Sequence, residues 1–170
     1  MRSEEALNML EVLFDDRTRL LIPEGAIERV RKYKDDVGFR NESGGIILGG
    51  QSESGLDFIV NELTLPSPTD DSGPYHYMRD KHAANKLIEN AWEESGGTVN
   101  YLGEWHTHNE RRPHPSYVDK NLMRQVSENE SCLFDRAFMM ILGFEGVAFL
   151  GMVEPRSKTV FMESQYVRLY

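Results

Sequence analysis

A short apolar run closed at both ends by paired glycines, Gly44-Gly45-Ile46-Ile47-Leu48-Gly49-Gly50, commits the middle of this chain to a buried strand. Three apolar residues are too few for a helix face, and the flanking glycines, lacking Cβ, let other backbone come close. Around it the periodicities alternate between strand and helix. Glu11 to Phe14 and Arg19 to Ile22 read as short strands about a turn at Asp15-Asp16, and Pro23-Glu24 opens a helix to about Lys34. Leu56 to Leu65 alternates as the hairpin partner of the glycine-bounded strand, and Pro66 to Pro74 reads as a long loop. His82 to Glu94 is a helix with Ala83, Leu87, Ala91 and Trp92 on one face and a stop at Ser95-Gly96-Gly97. Val99 to Thr107 is a strand and Tyr117 to Glu128 a helix. Arg136 to Gly143, Val147 to Val153 and Thr159 to Met162 close the chain as antiparallel strands. The class expected is α/β in the α+β sense, a mixed and mostly antiparallel sheet flanked by helices. Trp92, Trp105, Phe138, Met139 and Met140 fall at core positions. No repeat or linker divides residues 1–170, so one domain is expected.

Composition removes several functions. A formal charge of -9 argues against nucleic acid, whose phosphates need clustered Lys and Arg. The single cysteine, Cys132, excludes an intramolecular disulfide; it reads as a small buried or half-buried thiol in a reducing compartment rather than a nucleophile. No signal peptide and no apolar stretch of membrane length is legible, so a cytoplasmic protein without a membrane partner is expected. The paired glycines lack the lysine of a phosphate loop.

Chemistry gathers at Gly103-Glu104-Trp105-His106-Thr107-His108. Two histidines two residues apart on a strand project from one face and can converge on an ion. Ser116 stands before the helical run, at the position of its cap, which puts Asp119 in the first turn, able to point back at the strand's end. Two nitrogens and one carboxylate oxygen form a normal catalytic zinc set with a fourth position left for water. A base must take that water's proton, and Glu42, just ahead of the glycine-bounded strand, is the candidate. Ser116 can then donate to the oxygen of an attacked carbonyl. Glu104 shares the face of the two histidines, as an outer partner or a substrate contact, or else as a structural or solvated side chain. His114 reads as a surface or substrate-facing loop histidine, His76 and His82 as exposed or helix-start residues, and Arg79 as a member of a plain surface ion pair in preference to a contact for an acidic group on a partner.

Glu42 with Gly45 and Leu48 following, then His106-x-His108-x7-Ser116-x2-Asp119, resembles the motif of the JAB/MPN/JAMM metalloproteases, and the resemblance covers nearly the whole chain. It implies the JAB/MPN-like, cytidine-deaminase-like fold and a zinc isopeptidase held by His106, His108 and Asp119, with Glu42 and Ser116 catalytic. Tyr101 to His108, followed by Pro113-x-Pro115-Ser116, is similar to the bacterial branch found in antiviral operons. That branch includes deconjugating proteases of CBASS nucleotidyltransferases and of bacterial ubiquitin-like conjugation operons. By this resemblance the partner is a ubiquitin-like protein or a modified enzyme, cut after its terminal glycine; a processing peptidase for a small sulfur carrier and a non-catalytic MPN scaffold are the alternatives. The family usually has proline after the second histidine where this chain has Asn109, which should mainly change the stiffness of the loop from Asn109 to Pro115 and affect substrate fit more than zinc binding. That loop and the one from Pro66 to Pro74 are the segments expected to shape a substrate groove.

Overall fold

The computed structural model describes residues 8–157, 161 and 163–170. Among them the chain runs β1 (Met9–Leu13), β2 (Arg19–Pro23), α1 (Glu24–Val37), β3 (Gly44–Gln51), β4 (Asp57–Leu63), β5 (Asp71–Gly73), β6 (His76–Met78), α2 (Lys81–Glu94), β7 (Asn100–Thr107), α3 (Tyr117–Glu128), β8 (Ala137–Leu142), β9 (Val147–Val153) and β10 (Glu163–Arg168). Eight strands form one sheet in the order β1-β2-β4-β3-β7-β8-β9-β10, and β5 pairs with β6 separately. The β2/β4 and β7/β8 pairs are parallel and the other neighbours antiparallel, so the sheet is mixed and mostly antiparallel.

Alternation along β8 shows how the layers are filled. Phe138, Met140 and Leu142 enter the cluster that also holds Ile27 and Val30 of α1, whereas Ala137, Met139 and Ile141 pack with Met123 and Val126 of α3. In β3 likewise, Ile47 faces the α1 side while Ile46 and Leu48 pack with Ala84 of α2. Helix α1 therefore covers one face of the sheet and α2 and α3 the other. No helix among the described residues is long and apolar enough to cross a membrane.

Two glycines bring the central strands together. A Cβ on Gly45 would collide with the Thr64 carbonyl oxygen, in keeping with the close approach expected of the glycine-bounded strand. Gly103, at φ 154°, lies where the β3–β7 register shifts, so that Ile47 pairs with Gly103 and Leu48 with Tyr101. This bulge resets the alternation. Leu102 and Trp105 both enter the α1-side core, and Tyr101 comes to the face of Glu104 despite odd spacing, its hydroxyl donating to Glu104 at 2.9 Å.

Three expectations need correction. The loop Pro66 to Pro74 contains β5, whose residues Asp71, Ser72 and Gly73 carry no apolar alternation and pair only with the equally short β6. Helix α2 buries Ala84, with Ile88 and Ala91 partly buried beside it, a stripe one residue away from the expected one. Leu87 and Trp92 are 40% and 38% exposed, so Trp92 is not core; its ring lies beside Gly97 instead. Trp105, Phe138, Met139 and Met140 are fully buried as expected. Thr159, Val160 and Met162 of the expected last strand lie outside the described residues, and β10 follows them.

Lys34 of α1 is only 2% exposed, and burial pulls its pKa from 10.5 down to about 8. In the unfolded chain the amine keeps its proton to its ordinary value, so between those pH values the unfolded state binds more protons and stability rises with pH. At about 1.4 kcal/mol per pH unit the rise approaches ~3 kcal/mol. Tyr77 and Tyr101, pushed up by burial, act in the opposite sense once unfolded tyrosine ionises near pH 10. The Lys34 contribution is therefore read as the difference between native protein and Lys34→Met in urea unfolding from about pH 7 to 10; a flat difference refutes it.

Candidate metal centre

His106 is the penultimate residue of β7 and His108 the first residue beyond it, held to the sheet by its own N–H donating to Leu142 O at 3.1 Å. Both are buried. The chain returns at α3 through a capping box: Ser116 Oγ accepts from Asp119 N at 3.1 Å, and Asp119 Oδ2 accepts from Ser116 N at 2.7 Å. The box fixes the Asp119 side chain at the helix start, pointing at the strand's end. His106 Nε2 lies 3.1 Å from His108 Nε2 and 3.1 Å from Asp119 Oδ1, and His108 Nε2 lies 3.3 Å from Asp119 Oδ2.

These separations test the fit to a metal. Tetrahedral zinc with bonds of about 2.0–2.1 Å sets its ligand atoms about 3.3 Å apart, close to the spacing found. The second nitrogen of His108, Nδ1, is buried without a hydrogen bond and lies 3.5 Å from Glu110 Oε1. A ligating histidine normally gives that proton to such a carboxylate, and Glu110 is the carboxylate nearest to hand. Two imidazoles and a carboxylate with a carboxylate behind them suit a borderline cation such as zinc.

The electrostatics agree. Burial pushes the Asp119 carboxyl up, but hydrogen bonds from both histidines and from the Ser116 amide override it and hold the group far below the ordinary carboxylate range. For His108, burial favours the neutral ring, yet Asp119, with help from Glu42 and Glu110, raises its pKa above 6.5.

Glu42 and Ser116 line one cleft of about 950 Å³ with His108 and Asp119. Glu42 is half-buried, and burial raises its pKa against the pull of the two histidines. Its N–H donates to Gly73 O at 2.9 Å and its carbonyl accepts from Ser72 Oγ. Hairpin β5–β6 thus holds the Glu42 backbone, while Tyr75 and Met78 form an exposed apolar lip of the cleft facing Tyr117 and Val118 of α3. The loop after His108 is tied down without its proline: Phe144 N donates to Glu110 O at 3.0 Å, and Tyr166 hydroxyl donates to Pro113 O at 2.9 Å.

Glu104 is not solvated, and Arg79 is not in a surface pair. Arg79 Nε and Nη2 reach the Glu104 carboxylate at 2.8–2.9 Å, with side-chain exposures of 24% and 5%. The bulge that brings Tyr101 to this face completes the shell, and the pair lines a second cleft, of about 360 Å³, shared with His106 and Asp119. Arg79→Met is expected to destabilise by about 3–5 kcal/mol by stranding a buried carboxylate. Arg79→Met with Glu104→Gln should recover most of that in urea unfolding; equal losses in the two variants refute the argument.

His114 is exposed and outside the cluster, and Cys132 is a half-buried thiol pushed up by burial. Sequence reasoning missed Glu110, Lys34 and the clamp on Glu42, none of which has a spacing signature. His76, read as an exposed or helix-start residue, is exposed and also lines the cleft, with Nε2 3.1 Å from Asp71.

Residues 26–152 match the family described as prokaryotic homologs of the JAB domain. The CD-NTase/cGAS isopeptidase of Vibrio cholerae serotype O1 is 30% identical over 89% of this chain and 94% of that protein. The protein of the same name from Pseudomonas aeruginosa is 31% identical over 66% of this chain and 70% of its own length. The probable metalloprotease y4qB of Sinorhizobium fredii is 25% identical over 71% and 73%. Among solved structures, protein DSY2949 from Desulfitobacterium hafniense superposes with a TM-score of 0.54 at 18% identity, covering 78% of this chain and 87% of that one, a likeness of fold.

Proposed function

The chain belongs to the prokaryotic homologs of the JAB domain, and from that premise we propose that it is a zinc-dependent isopeptidase. The observation that carries the reading is the convergence of His106, His108 and Asp119 to 3.1–3.3 Å, with His108 and Asp119 at the wall of the cleft that Glu42 and Ser116 also line.

A cation held by His106, His108 and Asp119 would supply Lewis acidity toward a carbonyl oxygen and toward water. Glu42 takes the proton of the attacking water and delivers it to the departing nitrogen, so that an amide and water become a carboxylic acid and an amine. Its raised pKa suits a group that must accept and then give up a proton. Ser116 Oγ already accepts from Asp119 N, which leaves its O–H free to donate to the carbonyl oxygen as negative charge builds there. The exposed apolar side chains Tyr75, Met78, Tyr117 and Val118 on the two walls suit an extended polypeptide laid through the cleft.

The relatives named CD-NTase/cGAS isopeptidase support cleavage of a conjugate, and the resemblance of the motif to the bacterial branch adds an acyl side ending in the C-terminal glycine of a modified enzyme or ubiquitin-like protein, in a bacterial antiviral setting. The test is zinc content by elemental analysis with cleavage of a fusion between such a C-terminal tail and a reporter. About one zinc per chain is expected, with cleavage lost to a strong chelator and restored by zinc. Protein that takes up no zinc and cuts no fusion would instead be a scaffold.

A further inference from the structure

Glu42 must keep its carboxylate at one place beside the histidine cluster, yet it lies ahead of β3 on backbone outside any strand. The next residue, Ser43, is gripped more firmly. Its N–H donates to Thr107 Oγ1 at 3.0 Å and its carbonyl accepts from Thr107 N at 2.8 Å. Thr107 is fully buried between His106 and His108. The remaining polar atom of Ser43, its Oγ, accepts from Lys34 Nζ at 2.9 Å. We infer that Lys34 is a positioning residue that acts through Ser43 and Thr107 to lock Glu42 at a fixed spacing from the two histidines. This inference rests on the function proposed above.

An ammonium is a poor choice for a merely structural peg. Lys34 is 2% exposed, and burial is the influence that acts on it, with no carboxylate partner among the described residues. Its Nζ faces the rings of Phe39 at 4.8 Å and Tyr33 at 5.9 Å. An apolar side chain of similar volume would be neutral or stabilising there. What Lys34 adds over such a residue is a charge-assisted donor aimed at the hydroxyl of the residue after Glu42. Misplacing a reacting group by about 1 Å can cost about a hundredfold in rate, so a firm hold on this peptide matters for turnover where it does little for folding.

The experiment compares native protein, Lys34→Met and Ser43→Ala in cleavage of the same tail–reporter fusion, with zinc content and amide hydrogen exchange measured in parallel. Ser43→Ala removes the acceptor of Lys34 while keeping both backbone bonds to Thr107, so the test survives if Lys34→Met folds badly. Each variant is expected to keep its zinc and to lose about 10–100-fold in kcat with KM changed less than about twofold. The double variant should be no worse than either single one, because both break the same link. The Glu42 and Ser43 amides should exchange faster in both variants, while the Trp105 amide in β7 does not. A native kcat in Lys34→Met or Ser43→Ala overturns the inference and leaves the isopeptidase reading standing. Native protein that cuts nothing overturns the isopeptidase reading, and unchanged exchange at Glu42 and Ser43 then overturns the inference as well.

Discussion

Glu42→Gln is expected to lower kcat by about 10²–10⁴-fold, the usual share of a positioned acid–base group, while the protein keeps its metal and its fold. The reason lies in how the residue is divided. Its backbone is clamped by Gly73 O and Ser72 Oγ, and its side chain is not among the three groups that converge on the metal position, so glutamine disturbs neither. What glutamine lacks is the basic oxygen. Burial raises the Glu42 pKa, so the carboxylate carries a desolvation penalty in the fold, and neutral glutamine should leave stability at neutral pH equal or slightly higher. The same raised pKa sets the acid limb of the native profile: activity falls as pH drops through a value above the ordinary 4.5, because the protonated acid can no longer accept. Steady-state cleavage of the tail–reporter fusion, with elemental analysis of the same samples, decides the matter. A glutamine variant within tenfold of native kcat, with zinc bound, would remove Glu42 from the mechanism.

The parts of this molecule that were legible in its sequence are those whose signal is local. Tyr117 to Glu128 is a helix to the residue, because its amphipathic stripe and its Ser116 cap lie in one short window. The pairing of β3 with β4 followed from adjacency and alternation. The clustering of His106, His108 and Asp119 was legible for the same reason: strand period places His106 and His108 together, and a cap places Asp119. What escaped depends on contacts between distant segments. Strand β5 is built from Asp71, Ser72 and Gly73, which have no strand propensity, and its value lies in the bonds it makes to Glu42 about thirty residues earlier. The α2 face was misjudged by one residue, since Ala83/Leu87/Ala91 and Ala84/Ile88/Ala91 are equally apolar stripes, and only the surface of β3 and β7 chooses between them. The Tyr101–Glu104 bond needed the bulge at Leu102 and Gly103, which resets side-chain direction along β7, and the Arg79–Glu104 pair joins segments 25 residues apart.

Asp119→Asn and Asp119→Ala separate the two tasks of one carboxylate. Both remove an anionic ligand, so zinc affinity should fall by more than the about 10–100-fold that loss of an outer-shell partner costs, and cleavage should go with it. They differ in the metal-free protein. Asparagine retains a carbonyl oxygen able to accept from Ser116 N, whereas alanine ends the reciprocal cap and should destabilise the start of α3 by about 1 kcal/mol more. The pH dependence of binding carries the sharper signature. In the native protein, burial lowers and Asp119 more than restores the His108 pKa, so protons compete with zinc at His108 and affinity falls as pH drops through a value above 6.5. Without the Asp119 charge, burial prevails and His108 releases its proton at lower pH. The Asn variant should therefore bind more weakly at neutral pH, yet lose less of what remains as the pH is lowered toward 6. Zinc Kd measured against a competing chromophoric chelator at several pH values tests both statements. An asparagine variant with native affinity and a native pH slope would mean that Asp119 caps the helix and does not hold the metal.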